Sequence, residues 1–197
     1  METKILSVDD VLSYLDSIHP LPPGLSDRFR SLIRVKSFKK KEFLLTAPAV
    51  CRYLYFVKQG LLRTFYLKDD GTEVTNGLYA EMEFVVAVHS FYTETPNAEY
   101  IQALENTEVY IIAKPELEGI YLDYPDFREN GRLLTIKYLV DYSLQMQLIR
   151  AMSSEEKIKT LREKYDKLLR RVPQKYLASY VDMIPETFSK IKSNSKY

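Results

Sequence analysis

Cys51-Arg-Tyr-Leu-Tyr-Phe-Val-Lys-Gln-Gly60, Leu61-Leu-Arg-Thr-Phe-Tyr-Leu67, Asp69-Asp70-Gly71 and Thr72-Glu-Val-Thr-Asn-Gly-Leu78 follow one another almost without interruption. Each apolar run is short, rich in Val, Leu, Tyr and Phe, and bounded by turn residues, which is the pattern of β-strands. Gly60 and Asp70-Gly71 supply the positive-φ positions that tight hairpins need, so three consecutive antiparallel strands are expected. Outward from this segment, further strands are expected at residues 43–45, 100–104 and 109–113. So many short strands between residues 35 and 113 predict a closed barrel or jelly roll rather than an open sheet.

The flanks read differently. Val8, Val11, Leu12 and Leu15 recur at helical spacing, and after Pro20, Pro22 and Pro23 a second helix is expected over residues 25–35, capped by Ser26. Beyond Pro115 the texture is helical again. From Asp126 onward Leu133, Ile136, Val140, Leu144, Leu148 and Met152 form one apolar stripe, with neither Pro nor Gly between Gly131 and Met152. Two readings of the stripe stand: packing on the chain's own barrel, or a two-chain seam of coiled-coil type, which the length of the stripe favours. Ser153 caps the next helix, with Glu155 and Glu156 near its positive end, and that helix runs to about Arg171.

Composition narrows the function classes. A chain of 197 residues, 46% apolar and 28% charged, can fill one large core or two small ones. No apolar run approaches the roughly 18 residues of a membrane span, and no signal sequence follows Met1, so a cytoplasmic protein without membrane contact is expected. Cys51 is the only cysteine and reads as a buried apolar residue, while His19 and His89 stand singly. A cupin-type metal centre needs clustered histidines, and neither a Ser-His-Asp nor a Cys-His pairing nor a glycine-rich phosphate loop is evident. No enzyme and no cofactor are therefore expected. Tyr53, Tyr55, Phe56, Phe65, Tyr66, Tyr79 and Phe91 read either as core or as the lining of an apolar pocket inside the roll. Residues 1–149 hold 16 Lys+Arg against 21 Asp+Glu, whereas residues 150–197 hold 12 against 6. A basic tail on an acidic body suits a polyanionic partner, although a solvated helix surface gives some of the same excess.

Within that tail, residues 172–192 read as two short helices, each opened by a proline, Pro173 and Pro185, at a first-turn position. Leu177, Ala178 and Val181 line the inner face of the first, Phe188 and Ile191 that of the second. The small Ala178 allows the close, steep crossing of a helix-turn-helix. The outward face of the second helix carries Glu186, Thr187, Ser189, Lys190 and Lys192, and Gln174 and Lys175 begin the first. On this reading Lys190 and Lys192 contact phosphates or bases, Thr187 and Ser189 reach base edges, and Gln174 and Lys175 touch the DNA backbone.

Leu177-Ala178-Ser179-Tyr180-Val181 followed by Ile184-Pro185-Glu186-Thr187-Phe188-Ser189-Lys190-Ile191 resembles the helix-turn-helix of Crp/Fnr-type transcription regulators, whose pattern reads Leu-Ala-x-x-Leu-Gly-Ile-Thr-Pro-Glu-Thr-Leu-Ser-Arg-Ile. The 51–63 segment is similar to the start of that family's β-roll, particularly in short Bacteroidetes-type members. The resemblance implies an α+β protein. A double-stranded β-helix (jelly-roll) domain of cyclic-nucleotide-binding type would span residues 1–125, a dimerisation helix 126–152, and an all-α helix-turn-helix domain 153–197. It implies DNA and a second copy as partners, together with an unidentified small-molecule effector where one exists. The alternative is a ligand-sensing or protein-interaction module with a degenerate helix-turn-helix.

The sequence departs from the family at three points. The family's ribose-binding Glu and phosphate-binding Arg are absent from Phe84-Val-Val-Ala-Val88 and Asn97-Ala98-Glu99, and Glu94 and Glu99 would repel a phosphate, so the usual binding of cyclic AMP is not expected. Asp182 replaces the turn glycine, a mild change because Asp tolerates left-handed backbone. Ile184 replaces the capping Thr, a loss of about 1 kcal/mol. With five residues after Lys192, a β wing beyond the motif is not expected, unless strands before the motif form one.

Overall fold

The computed structural model describes residues 6–194, apart from the side chains of residues 164–167 and 194. Helix α1, Val8–Ile18, opens on a capping box in which Ser7 Oγ accepts the Asp10 N–H and the Asp10 carboxylate accepts the Ser7 N–H. Helix α2, Leu25–Leu32, starts instead from Gly24 at φ 82°, with no side-chain cap. Ser26 therefore lies inside the helix rather than capping it, because the Leu25 N–H closes a turn onto the Pro22 carbonyl and leads the chain in one step earlier.

Eight strands follow: β1 Arg34–Phe38, β2 Phe43–Leu45, β3 Tyr53–Gln59, β4 Leu62–Leu67, β5 Glu73–Tyr79, β6 Phe84–Val85, β7 Glu99–Ala103 and β8 Thr107–Ala113. They form two four-stranded antiparallel sheets, β1-β8-β3-β6 and β2-β7-β4-β5, here called the first and second sheets. Successive strands largely alternate between the sheets, which is the double-sheet jelly roll. The hairpin at Asp70-Gly71 forms as expected and pairs β4 with β5. The expected hairpin between β3 and β4 does not, since these strands belong to different sheets. Gly60 turns the corner between them at φ 112°, and a Cβ there would come within 2.4 Å of Thr107 Oγ1 and 2.7 Å of Thr107 Cα. Its missing side chain thus permits close passage of β8 rather than a tight turn.

The first sheet is sealed by helices. Val11, Leu15 and Phe29 join Phe56, Tyr110 and Ile112 in one apolar cluster, with Phe56 edge-on to Phe84 at 4.8 Å. The aromatics of 53–91 accordingly do not share one interior. Phe56 lies under α1 with Tyr14, Phe65 stacks on Tyr100 at 5.0 Å, and Tyr53 and Tyr66 are exposed.

After α3, Val88–Thr93, and α4, Lys114–Asp123, a 3-10 turn at Pro125–Phe127 leads into α5, Arg128–Ala151. The buried Asn130 ties the start of α5 to α1 by donating to the Leu15 and His19 carbonyls, both at 2.8 Å. The stripe on α5 divides into a buried and an exposed stretch. Leu148 is buried in the chain's own second core, whereas Ile136, Val140 and Leu144 are 44%, 52% and 45% exposed. Helix α6, Ser154–Leu169, begins at the expected cap, with Ser153 and Glu156 forming a reciprocal box. Helices α7, Gln174–Tyr180, and α8, Pro185–Asn194, complete the described chain, and among the described residues no strand follows β8. A second apolar cluster gathers Leu148, Ile158, Leu161, Leu168, Leu177, Ala178, Val181 and Phe188, and it also includes Leu61, Leu78 and Leu104 of the roll.

Candidate nucleic-acid interface

The inner-face residues read from the sequence are buried: Leu177 and Phe188 are each 1% exposed, and Ala178 and Val181 are fully covered. Ile191 packs at the margin of the same cluster. The turn between α7 and α8 is a Schellman motif. The Met183 N–H donates to the Ala178 carbonyl at 2.9 Å and the Asp182 N–H to that of Ser179 at 3.1 Å. Asp182 occupies the left-handed position at φ 54°, as expected of the residue standing for glycine. Pro185 is the first residue of α8, where its missing N–H costs nothing. Pro173 instead stands one residue ahead of α7, at the cap, and its carbonyl accepts the Tyr176 N–H. Ile184 is 64% exposed and offers no capping oxygen.

Helical geometry sorts the predicted contact residues on α8. Glu186, Ser189 and Lys190 lie on the exposed side opposite Phe188, while Thr187 and Lys192 flank it, half-buried. The Lys192 carbonyl accepts a hydrogen bond from Arg162 of α6 at 2.8 Å, which steadies the far end of α8. Gln174 and Lys175 stand apart from these, at the start of α7, with Lys175 Nζ 4.7 Å from the Tyr176 ring centre. Glu186 sits in the first turn of α8, where the helix dipole favours an anion.

Helix α7 is fastened to the outer face of the second sheet by polar groups that sequence reasoning did not single out. The Arg63 guanidinium is fully buried, 4.0 Å from the Phe65 ring and 3.7 Å from the Tyr176 ring, and donates to Gln102 at 2.7 Å and Glu73 at 2.6 Å. Arg171, just before α7, makes a two-pronged pair with Glu81, both contacts at 2.8 Å, and reaches Glu105 at 2.5 Å and the Gly60 carbonyl at 2.9 Å. Burial, the largest single influence, pushes the Glu81 carboxyl up, but the hydrogen bonds from Arg171 and the Gly60 N–H, with the Arg171 charge, together hold the group below its ordinary range. Ser179 Oγ accepts the Thr75 N–H at 2.9 Å and donates to the Glu73 carbonyl.

Inside the roll the two acidic residues part company. Glu99 is 6% exposed and accepts from Asn76 at 2.8 Å, and burial raises its carboxyl above the ordinary range. Glu94 is at the surface, paired with Lys114 at 2.6 Å. Of the two, only Glu99 lies buried, while Glu94 is paired at the surface.

The family described as Cyclic nucleotide-binding domain matches residues 35–124, so this part of the chain is a domain of that type. The transcriptional activator protein Anr of Pseudomonas protegens is 30% identical over 127 residues, 64% of this chain and 51% of its own length. The chain thus spans about half the length of the curated relatives it matches. FixK2 from Bradyrhizobium japonicum superposes with a TM-score of 0.72 at 17% identity, covering 83% of this chain and 84% of its own. A protein from Eubacterium rectale assigned to the Crp/Fnr family of transcriptional regulators gives 0.69 at 18% identity, covering 88% and 83%. The chain is thus similar in sequence to the Anr activator and shares the fold of FixK2 and of the Eubacterium rectale protein.

Proposed function

We propose that the chain is a cytoplasmic, non-enzymatic transcription regulator that binds DNA as a homodimer and does not respond to cyclic AMP. The observation that carries this reading is the helix-turn-helix itself, with its core buried and Glu186, Ser189 and Lys190 on the free side of α8. In this reading Lys190 and Lys192 contact phosphates or bases, Thr187 and Ser189 read base edges, and Gln174 and Lys175 touch the backbone. The exposed Ile136, Val140 and Leu144 of α5 face a second copy, so that two recognition helices meet successive major grooves. Residues 1–125 serve as the sensor-type roll, 126–152 as the dimerisation helix and 153–197 as the DNA-binding part. The buried Glu99 disfavours a cyclic phosphate in the roll.

An unbiased oligonucleotide selection followed by gel-shift assay tests the reading. A palindromic site should emerge, its affinity should fall steeply with salt, and Lys190→Glu should abolish binding. Enrichment of no sequence would favour the protein-interaction alternative. A calorimetric titration should find no micromolar affinity for cyclic AMP.

A further inference from the structure

We infer that Arg171 and Arg63 are positioning residues for DNA recognition: they hold α7 at one place on the second sheet and so fix where α8 stands relative to α5. The inference rests on the DNA-binding reading above, and goes beyond it in assigning the geometry of the site to groups that touch no DNA.

Three separate polar ties grip the segment from Arg171 to Ser179. At its start, Arg171 forks onto Glu81 and Glu105 and caps the Gly60 carbonyl, while the Gly60 N–H donates to the same Glu81 carboxylate at 2.9 Å. Gly60 is packed against Thr107 at the start of β8, with no room for even a methyl group on that side. In the middle, Tyr176 closes over the Arg63 guanidinium, which Gln102 and Glu73 hold from the sheet side. At the end, Ser179 takes the Thr75 N–H of β5. Apolar contacts alone would leave a helix free to slide, because dispersion and burial are non-directional. Forked guanidinium–carboxylate pairs and backbone hydrogen bonds are directional, so one at each end of the segment, with the Tyr176 ring held on the Arg63 plane between them, fixes both register and rotation.

The setting of α7 passes to α8 through the Schellman turn closed by the Met183 N–H on the Ala178 carbonyl. Helix α5 is referred to the same strand, since Gln145 donates to the Asn76 carbonyl of β5 at 2.7 Å. The proposed dimer helix and the recognition helix are thus both registered on β5. In a dimer built on α5, the distance between the two recognition helices is then set by residues of the seam, with no ligand required to set it.

The test uses the full-length protein, Arg171→Met, and Ser179→Ala as a milder second variant should the first fold poorly. Amide exchange at Thr75 is measured beside binding to duplexes whose half-site spacers differ by one or two base pairs. The wild type should prefer its best spacer by roughly tenfold, and the variants should lose most of that preference while single half-site affinity stays within about twofold. Exchange at Thr75 should quicken by about tenfold or more in the variants. Wild-type binding with the same spacer preference in the variants overturns the inference alone, as does an equal loss of half-site and full-site affinity, which marks a merely structural role. Failure of the wild type to bind any duplex overturns the DNA-binding reading, and this inference with it.

Discussion

The outer faces of the two sheets are both covered by helix, by opposite chemistry. Over the first sheet, Val11, Leu15 and Phe29 lie on Phe56, Tyr110 and Ile112, an almost wholly apolar contact. Over the second, Tyr176 of α7 covers Arg63, itself held by Glu73 and Gln102, and Arg171 ahead of α7 pairs with Glu81 and Glu105, with apolar residues chiefly at one end in Leu61, Leu78 and Leu104. Apolar cover supplies stability that scales with area, whereas a buried ion pair gives little net stability because desolvation offsets its attraction. The comparison teaches a division of labour: the N-terminal helices hold the roll together, and the polar seam sets the position of the helix-turn-helix.

The division can be broken by measurement. Phe56→Ala, under α1, should cost about 3–5 kcal/mol in denaturant titration, the usual toll for emptying a packed aromatic site. Arg63→Met, which keeps the bulk between Phe65 and Tyr176 and leaves the part-exposed Glu73 to solvent, should cost about 1–3 kcal/mol, chiefly from the Gln102 oxygen left without its donor. A larger loss from Arg63→Met than from Phe56→Ala would reverse the assignment. Glu99→Gln separates the roll's interior from both faces. Burial raises the Glu99 carboxyl, so the folded state holds that proton more tightly than the unfolded chain does. Wild-type stability should then fall as pH climbs from the ordinary carboxylate value through the raised one, and remain lower above it. The variant should melt higher than wild type at alkaline pH and converge on it at acid pH, as followed by circular dichroism. The smallest effect belongs to the turn that hands the setting of α7 on to α8. Asp182→Gly should stabilise by roughly 0.5 kcal/mol, since glycine enters the left-handed region without strain but loses more chain entropy on folding.

Much of this was legible in residue order. The β4–β5 hairpin follows from Asp70-Gly71, the restart of α6 from Ser153 and Glu156, and the helix-turn-helix from Leu177, Ala178 and Phe188. The cap of α1 was legible too, since Ser7 and Asp10 stand three residues apart in the capping-box spacing. The contact face of α8 needed both sources: helical period marks its outward residues, but the packing of α6 and α7 decides that Thr187 and Lys192 are flanking.

By itself the sequence determined much of what depends on neighbours within a few residues: the cap of α6 but not that of α2, the αL turn at Asp182, strand texture, and which side of a helix is apolar. Periodicity and turn chemistry are short-range, so they survive without knowledge of the fold. Only the tertiary structure decided that Gly60 is a corner rather than a hairpin, that Glu94 and Glu99 part company, and that Arg171 finds Glu81 across 90 positions of chain. An arginine's partner at that separation is chosen by how two sheets close on each other. No local pattern carries that information, because the side chain reads the same whether it ends in solvent, on a phosphate or in a seam.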